Sequence, residues 1–222
     1  MVTQPQPFIR AGLLHVPRQD PTAGETVTKL LIQSLHRVVI QQESYAASDR
    51  RWLEDTLCKW CDEDELDLVV TIGGTYPAPG SSTYEIVPEA TLAVLERLVP
   101  GLAETMRAYV REEFPAVSLH RGVEGIRGRS LIVNLPSGAE VASIFLEAIL
   151  EDVPYILAHL RGDADAVTLA QIIGEGDAQG GIQASDSERE NLAETKPAKP
   201  SGKGLNAEEF AAFLRRRKSG EA

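Results

Sequence analysis

Two short stretches carry residues whose types and order suit chemistry on an anionic ligand. The first is Thr71-Ile72-Gly73-Gly74-Thr75, directly after the apolar run Leu66-Asp67-Leu68-Val69-Val70. Two glycines at a strand end let the backbone turn tightly and bring its N–H groups against a bound group. The second is Asn134-Leu135-Pro136-Ser137-Gly138, closing the run that starts at Ser130. A helix is expected behind each turn, with Pro88 near the first turn of one and Ala139 opening the other. Strand-end amides and helix N-termini together favour phosphate-like groups. Gly73, Gly74, Thr75, Asn134, Pro136, Ser137 and Gly138 are therefore candidate ligand-binding residues. A tight turn with no ligand is the alternative for the glycine motif taken by itself.

Other reactive residue types are less suggestive. Cys58 and Cys61 are the two cysteines, spaced C-x-x-C. A redox dithiol would sit at a helix start just after a strand. This pair instead falls inside the helical pattern Trp52-Leu53…Thr56-Leu57…Trp60-Cys61, which reads as packing. Four scattered histidines and two cysteines give no second ligand pair for zinc. His120, before Arg121, reads as a structural or solvent-facing histidine.

The elements that position these residues follow from periodicity and breakers. Phe8–Val16, Arg37–Gln41, Leu66–Val70 and Ser130–Leu135 suit strands. Thr22–Leu35 places Val27, Leu30, Leu31, Ser34 and Leu35 on one helical face. Ser48 or Asp49 is a natural N-cap for a helix through about Glu63, after a loop from Gln42 to Ala47. Pro88 opens a helical stretch that runs on over Thr91–Leu98, Pro100-Gly101 breaks it, and a second runs over Leu102–Phe114. Ala116–Val123 reads as a short strand or extended segment and Gly125–Gly128 as a turn. Ala139–Leu150 and Val153–Leu160 complete the helices. Alternating strands and helices give an α/β protein with both turns on the carboxyl edge of one parallel sheet, where such folds bind ligands.

The first seven residues read as a flexible N-terminus and residues 8–173 as one α/β domain. Residues 174–204 lose apolar periodicity and read as a disordered linker. Residues 205–218 form an expected short amphipathic helix. Asn206 can cap it, acids fill its first turn and bases its last, and Leu205, Phe210, Phe213 and Leu214 make an apolar face. It suits docking on this domain or on a protein partner, and a solvated tail is the alternative.

The formal charge is −11, and nearly all the excess lies before the tail. Such an acidic domain argues against binding nucleic acid through its phosphates. No apolar run approaches the roughly 20 residues of a membrane span. The start, MVTQPQPFIR, lacks the order of a signal peptide, so a cytoplasmic protein with no membrane partner is expected.

Taken together, TIGGT, VPEATLAVLERLVPGLAETMR, HRGVEGIRGRSLIVNLPSG and VPYILAHLRG resemble the molybdopterin-binding domain of the Mog/MoaB family. That family includes bacterial molybdopterin adenylyltransferase and a related domain of gephyrin. The resemblance covers about Asp62 to Gly162, and more weakly Gly12 to Cys61. It implies a three-layer α/β/α sandwich with a mostly parallel sheet, here followed by the linker and terminal helix. It further implies that molybdopterin and ATP share the carboxyl edge, that AMP passes from ATP to the molybdopterin phosphate with Mg, and that the protein is a homotrimer.

The resemblance also assigns roles. Glu85-Ile86-Val87-Pro88-Glu89-Ala90-Thr91 stands where the family has Asp-Val-Thr-Pro-Asp-Ala-Thr, making Glu85 the catalytic and metal-binding carboxylate. The family's acid in the second strand-to-helix loop falls on Ser48 or Asp49, so Asp49 is a second catalytic candidate, with capping the other account of it. Several positions depart from the pattern. Tyr76 replaces a glycine, where its ring would crowd a ligand or stack on a pterin or adenine ring. His120 replaces a serine, and the second turn has lost a glycine and a proline. The first strand lacks the family's Ser-Asp loop, with Arg18 and Asp20 as its stand-ins. Retained motifs favour an enzyme of molybdenum-cofactor assembly. The departures favour a non-catalytic binding or scaffold module that uses its terminal helix to reach a partner.

Overall fold

The computed structural model describes residues 8–80, 86–111 and 114–163. The expected flexible N-terminus, the linker over 174–204, the helix over 205–218 and Glu85 lie outside the described residues.

Six strands form one sheet in the order β2-β1-β3-β6-β5-β4. Strands β1 (Ile9–His15), β2 (Val38–Tyr45), β3 (Leu68–Ile72) and β6 (Ser130–Leu135) are mutually parallel. The short β4 (Arg97–Leu98) and β5 (Gly125–Arg127) add an antiparallel margin beside β6. The central β3 and β6 are buried at every residue, whereas the edge strand β2 alternates between half-buried and exposed. That contrast is expected of central and marginal strands in a sheet covered on both faces.

Side chains alternate across a strand, and here the alternation sorts them into two cores. Leu13, Val70 and Val133 face helices α1 (Pro21–Ser34), α4 (Pro100–Val110), α5 (Ala139–Glu147) and α6 (Asp152–Arg161), meeting Val27, Leu31, Met106 and Phe145. Leu14, Val69 and Ile132 face the other way, toward α2 (Arg50–Asp62) and α3 (Val87–Val94), meeting Leu53, Leu57, Trp60 and Ala90. The result is the expected three-layer α/β/α sandwich with a mostly parallel sheet. Adjacent Leu13 and Leu14, both fully buried, anchor opposite layers, each contributing about 1.5–3 kcal/mol of burial.

Local expectations fail mainly at the margin. Strand β2 runs on to Tyr45 through the expected loop at Gln42–Ala47, because its amides pair with β1 as far as His15. The helix expected over Thr91–Leu98 ends at Val94, and Arg97–Leu98 pairs with Gly125–Ile126 instead. Gly125–Gly128 is thus mostly strand β5 and not a turn. Pro100 opens α4, where its missing N–H costs nothing. Pro115–Leu119 is a 3-10 turn in place of an extended start. None of the described helices is long and apolar enough to cross a membrane.

Candidate functional site

Register brings the two glycine-bearing turns together. Ile72 pairs with Leu135, so the chains leaving β3 and β6 emerge side by side. The Gly73 N–H donates to the Leu135 carbonyl at 2.9 Å. Gly73 holds φ +97, and a Cβ built on it would lie 2.1 Å from the Val16 carbonyl oxygen and 3.6 Å from the Ser137 Cβ. Glycine is therefore required there by both conformation and contact. Gly74, at φ +66, abuts Val87 at the start of α3. Thr75 is buried, its carbonyl accepting from the Arg121 N–H at 2.9 Å. Its hydroxyl has no partner among the described residues.

Asn134 locks this arrangement from beneath. Its Nδ2 donates to the Thr71 Oγ1 at 3.0 Å and the Thr91 Oγ1 at 3.1 Å, while its Oδ1 accepts from the Val123 N–H at 3.1 Å. All three side chains are fully buried. A buried amide with both donors and its oxygen engaged is a clamp between β3, β6, α3 and the loop at 120–124. Pro136 is buried, Ser137 is exposed, and Gly138 is the N-cap position of α5 at φ +91.

Asp20 ties the first-strand loop to the second turn. Its Oδ1 caps α1 by accepting from the Ala23 N–H at 3.1 Å, and its Oδ2 accepts from the Gly138 N–H at 3.0 Å. The buried His15 sets the backbone of Asp20: its Nδ1 accepts the Asp20 N–H at 3.4 Å, leaving Nε2 to donate to Glu43 at 3.2 Å. Arg18 lines a cleft of about 550 Å³ with Pro17, Ala47 and Ser48, between the ends of β1 and β2. Asp49 caps α2 through Oδ1, which accepts from the Trp52 N–H at 3.1 Å. Of the four helices that follow a parallel strand at this edge, α1 and α2 have side-chain caps, and α3 and α5 have no N-cap side-chain hydrogen bond among the described residues. The latter two stand behind the two turns; at α5 the Asp20 carboxylate already takes the Gly138 N–H, while the first amides of α3 that carry an N–H have no side-chain acceptor among the described residues.

Three groups at the site carry little signal in the sequence. Arg121 forms an ion pair with Glu89, on the first turn of α3. Glu124 is buried, and burial pushes its pKa up to about 7 against the opposing pull of Arg107 and of the backbone N–H groups of Asn134 and Glu124 itself. His120 is buried with neither ring nitrogen partnered among the described residues, and burial, with Arg107 second, brings its pKa down to about 4. It is not the solvent-facing histidine that the sequence allowed. Tyr76 packs on it, ring centroids 5.5 Å apart. Cys58 and Cys61 are free thiols; burial pushes Cys61 up to about 11, which fits packing and not reactivity.

The fold and the joined turns define an α/β domain whose two glycine-bearing turns share one carboxyl edge. No family model matches the chain, but individual relatives do. It is 36% identical over 144 residues to a molybdopterin adenylyltransferase of Helicobacter pylori, spanning 65% of this chain and 80% of that one. An Escherichia coli molybdopterin adenylyltransferase is 37% identical over 122 residues, 50% of this chain and 60% of its own length. Among solved structures, the Thermus molybdopterin biosynthesis enzyme MoaB superposes with a TM-score of 0.63 at 35% identity, covering 70% of this chain and 98% of its own. The chain belongs to the Mog/MoaB family of molybdopterin biosynthesis proteins.

Proposed function

We propose that this protein acts in molybdenum-cofactor assembly, binding molybdopterin at the carboxyl edge and transferring AMP from ATP onto its terminal phosphate. A phosphate oxygen of molybdopterin attacks the α-phosphorus of ATP and pyrophosphate leaves. The relatives named molybdopterin adenylyltransferase support molybdopterin and ATP as substrates. The single observation that carries the reading is the meeting of the two turns, Gly73 against Leu135, in front of the helix starts of α3 and α5.

Phosphoryl-type transfer asks for positioned charge and donors more than covalent chemistry. The chain's own contribution is to hold the turns rigid through Asn134 and through Asp20 on the Gly138 N–H, and to place Gly74, Thr75 and Ser137 around the anion. Glu85 is the carboxylate we assign to catalysis and to the metal, with Asp49 second, its Oδ1 already engaged by the α2 cap. Mg is the expected ion. Among the described residues no group of three His, Cys, Asp or Glu side chains is placed to hold a metal. When bound, Mg would be held by the carboxylate assigned here, Glu85, and would neutralise charge developing on the ATP phosphates. The homotrimer and cytoplasmic location remain part of this reading.

The test is to mix the protein with molybdopterin, ATP and Mg and measure pyrophosphate and adenylylated pterin. Glu85→Ala should abolish turnover while the protein stays folded; full activity would remove Glu85 from the mechanism. A second reading is a binding or scaffold module, favoured by the commitment of Asp49 to its helix cap. Pterin binding without turnover in the unaltered protein would select it.

A further inference from the structure

Two of the positions where this chain departs from the family pattern, Tyr76 and His120, lie 44 residues apart in sequence and touch in the fold. Their ring centroids are 5.5 Å apart and the planes inclined by 54°. His120 in turn meets Phe145 edge-on, with centroids 4.6 Å apart. Phe145 is fully buried on α5. A line of three rings therefore runs from the core to the glycine turn, in the tilted and edge-on geometries that aromatic rings prefer. Its outer member, Tyr76, is only half-buried and directly follows Thr75.

His120 has little freedom. The backbone passes so close that a Cβ on Gly122 would lie 2.3 Å from its Cε1. On one side, the Arg121 N–H bonds to the Thr75 carbonyl, so the histidine's own loop is fastened to the residue before Tyr76. Neither ring nitrogen has a partner among the described residues. A buried imidazole that makes no hydrogen bond needs another reason to occupy its place, and its ring contacts with Tyr76 and Phe145 supply one.

We infer that His120 is a positioning residue that braces Tyr76 as a stacking wall for a planar heteroaromatic ring at the glycine turn. The inference rests on the proposed function, which supplies two such rings, the pterin of molybdopterin and the adenine of ATP. Tyr76 gives the ring a face to lie on; His120 and Phe145 fix that face.

The experiment measures Kd for molybdopterin and for ATP separately, in the unaltered chain, Tyr76→Phe, Tyr76→Leu, His120→Ser and the double variant Tyr76→Leu/His120→Ser, with circular dichroism to confirm folding. Tyr76→Phe should bind both ligands as the unaltered chain does. Tyr76→Leu should weaken one ligand about threefold to tenfold, the range of an aromatic pair, and leave the other alone. The affected ligand identifies the ring. His120→Ser should weaken the same ligand, and the double variant should be no weaker than Tyr76→Leu alone. Unchanged affinities in a folded Tyr76→Leu protein overturn the wall, and fully additive losses overturn the role of His120. Tyr76-dependent binding without adenylyl transfer leaves the wall standing while the catalytic reading fails. An unaltered protein that binds neither ligand overturns both.

Discussion

Asp20 accepts a hydrogen bond from the Gly138 N–H at 3.0 Å, across 118 residues of sequence, while its other oxygen caps α1. One carboxylate thus fixes the start of two helices and joins the first-strand loop to the second turn of the site. Asp20→Ala should lower stability by about 1–2 kcal/mol, the usual cost of losing a cap, read as a shift in the urea midpoint. Molybdopterin binding should weaken as well, because α5 loses its tether.

Asn134 should be less replaceable still. Asn134→Ala strands the buried hydroxyls of Thr71 and Thr91 and leaves the half-buried Val123 amide without its acceptor. Each unsatisfied group costs about 1–3 kcal/mol, so a loss of roughly 3 kcal/mol or more is expected in chemical denaturation. A loss under 1 kcal/mol would show that the clamp is dispensable.

Glycine at the first turn can be tested against an internal control. Gly80 also has positive φ, +79, but no described residue lies within 4 Å of a Cβ built there. Gly80→Ala should cost only the backbone strain, about 1–2 kcal/mol. Gly73→Ala adds a collision with the Val16 carbonyl at 2.1 Å and should be destabilised well beyond Gly80→Ala in thermal unfolding. Equal losses would mean that the turn relaxes freely.

The buried His120 and Glu124 set opposing pH dependences, with Arg107 the charge facing both. For His120, brought from 6.5 to about 4 in the folded state, the unfolded chain binds more protons between those values. Stability therefore rises with pH across that window. For Glu124, raised from 4.5 to about 7, the folded state binds more protons, so stability falls as pH rises across its window. Each effect is about 3 kcal/mol, and they nearly cancel between pH 4.5 and 6.5. In urea denaturation, Glu124→Gln should become more stable from pH 4 to 6.5, and His120→Phe less stable from pH 4.5 to 7. Parallel slopes in the two variants would refute the assignment.

Local sequence determined a good deal of this protein. Strand β6 has the bounds its apolar run sets, Ser130–Leu135, and Asp49 caps α2 as its residue type and place suggest. The two turns share one edge because each ends a parallel strand. Hydrophobic period, caps and glycine are short-range signals, since each reflects the conformation of a few neighbouring residues. Tertiary structure decided the rest. Arg97–Leu98 is a strand only because Gly125–Ile126 lies beside it, and nothing in two residues announces that pairing. Asp20 reaches Gly138, Asn134 reaches Thr71 and Thr91, and Tyr76 meets His120 through contacts between distant segments. Such contacts form when packing brings separate elements together, and packing overrides local propensity wherever the two compete.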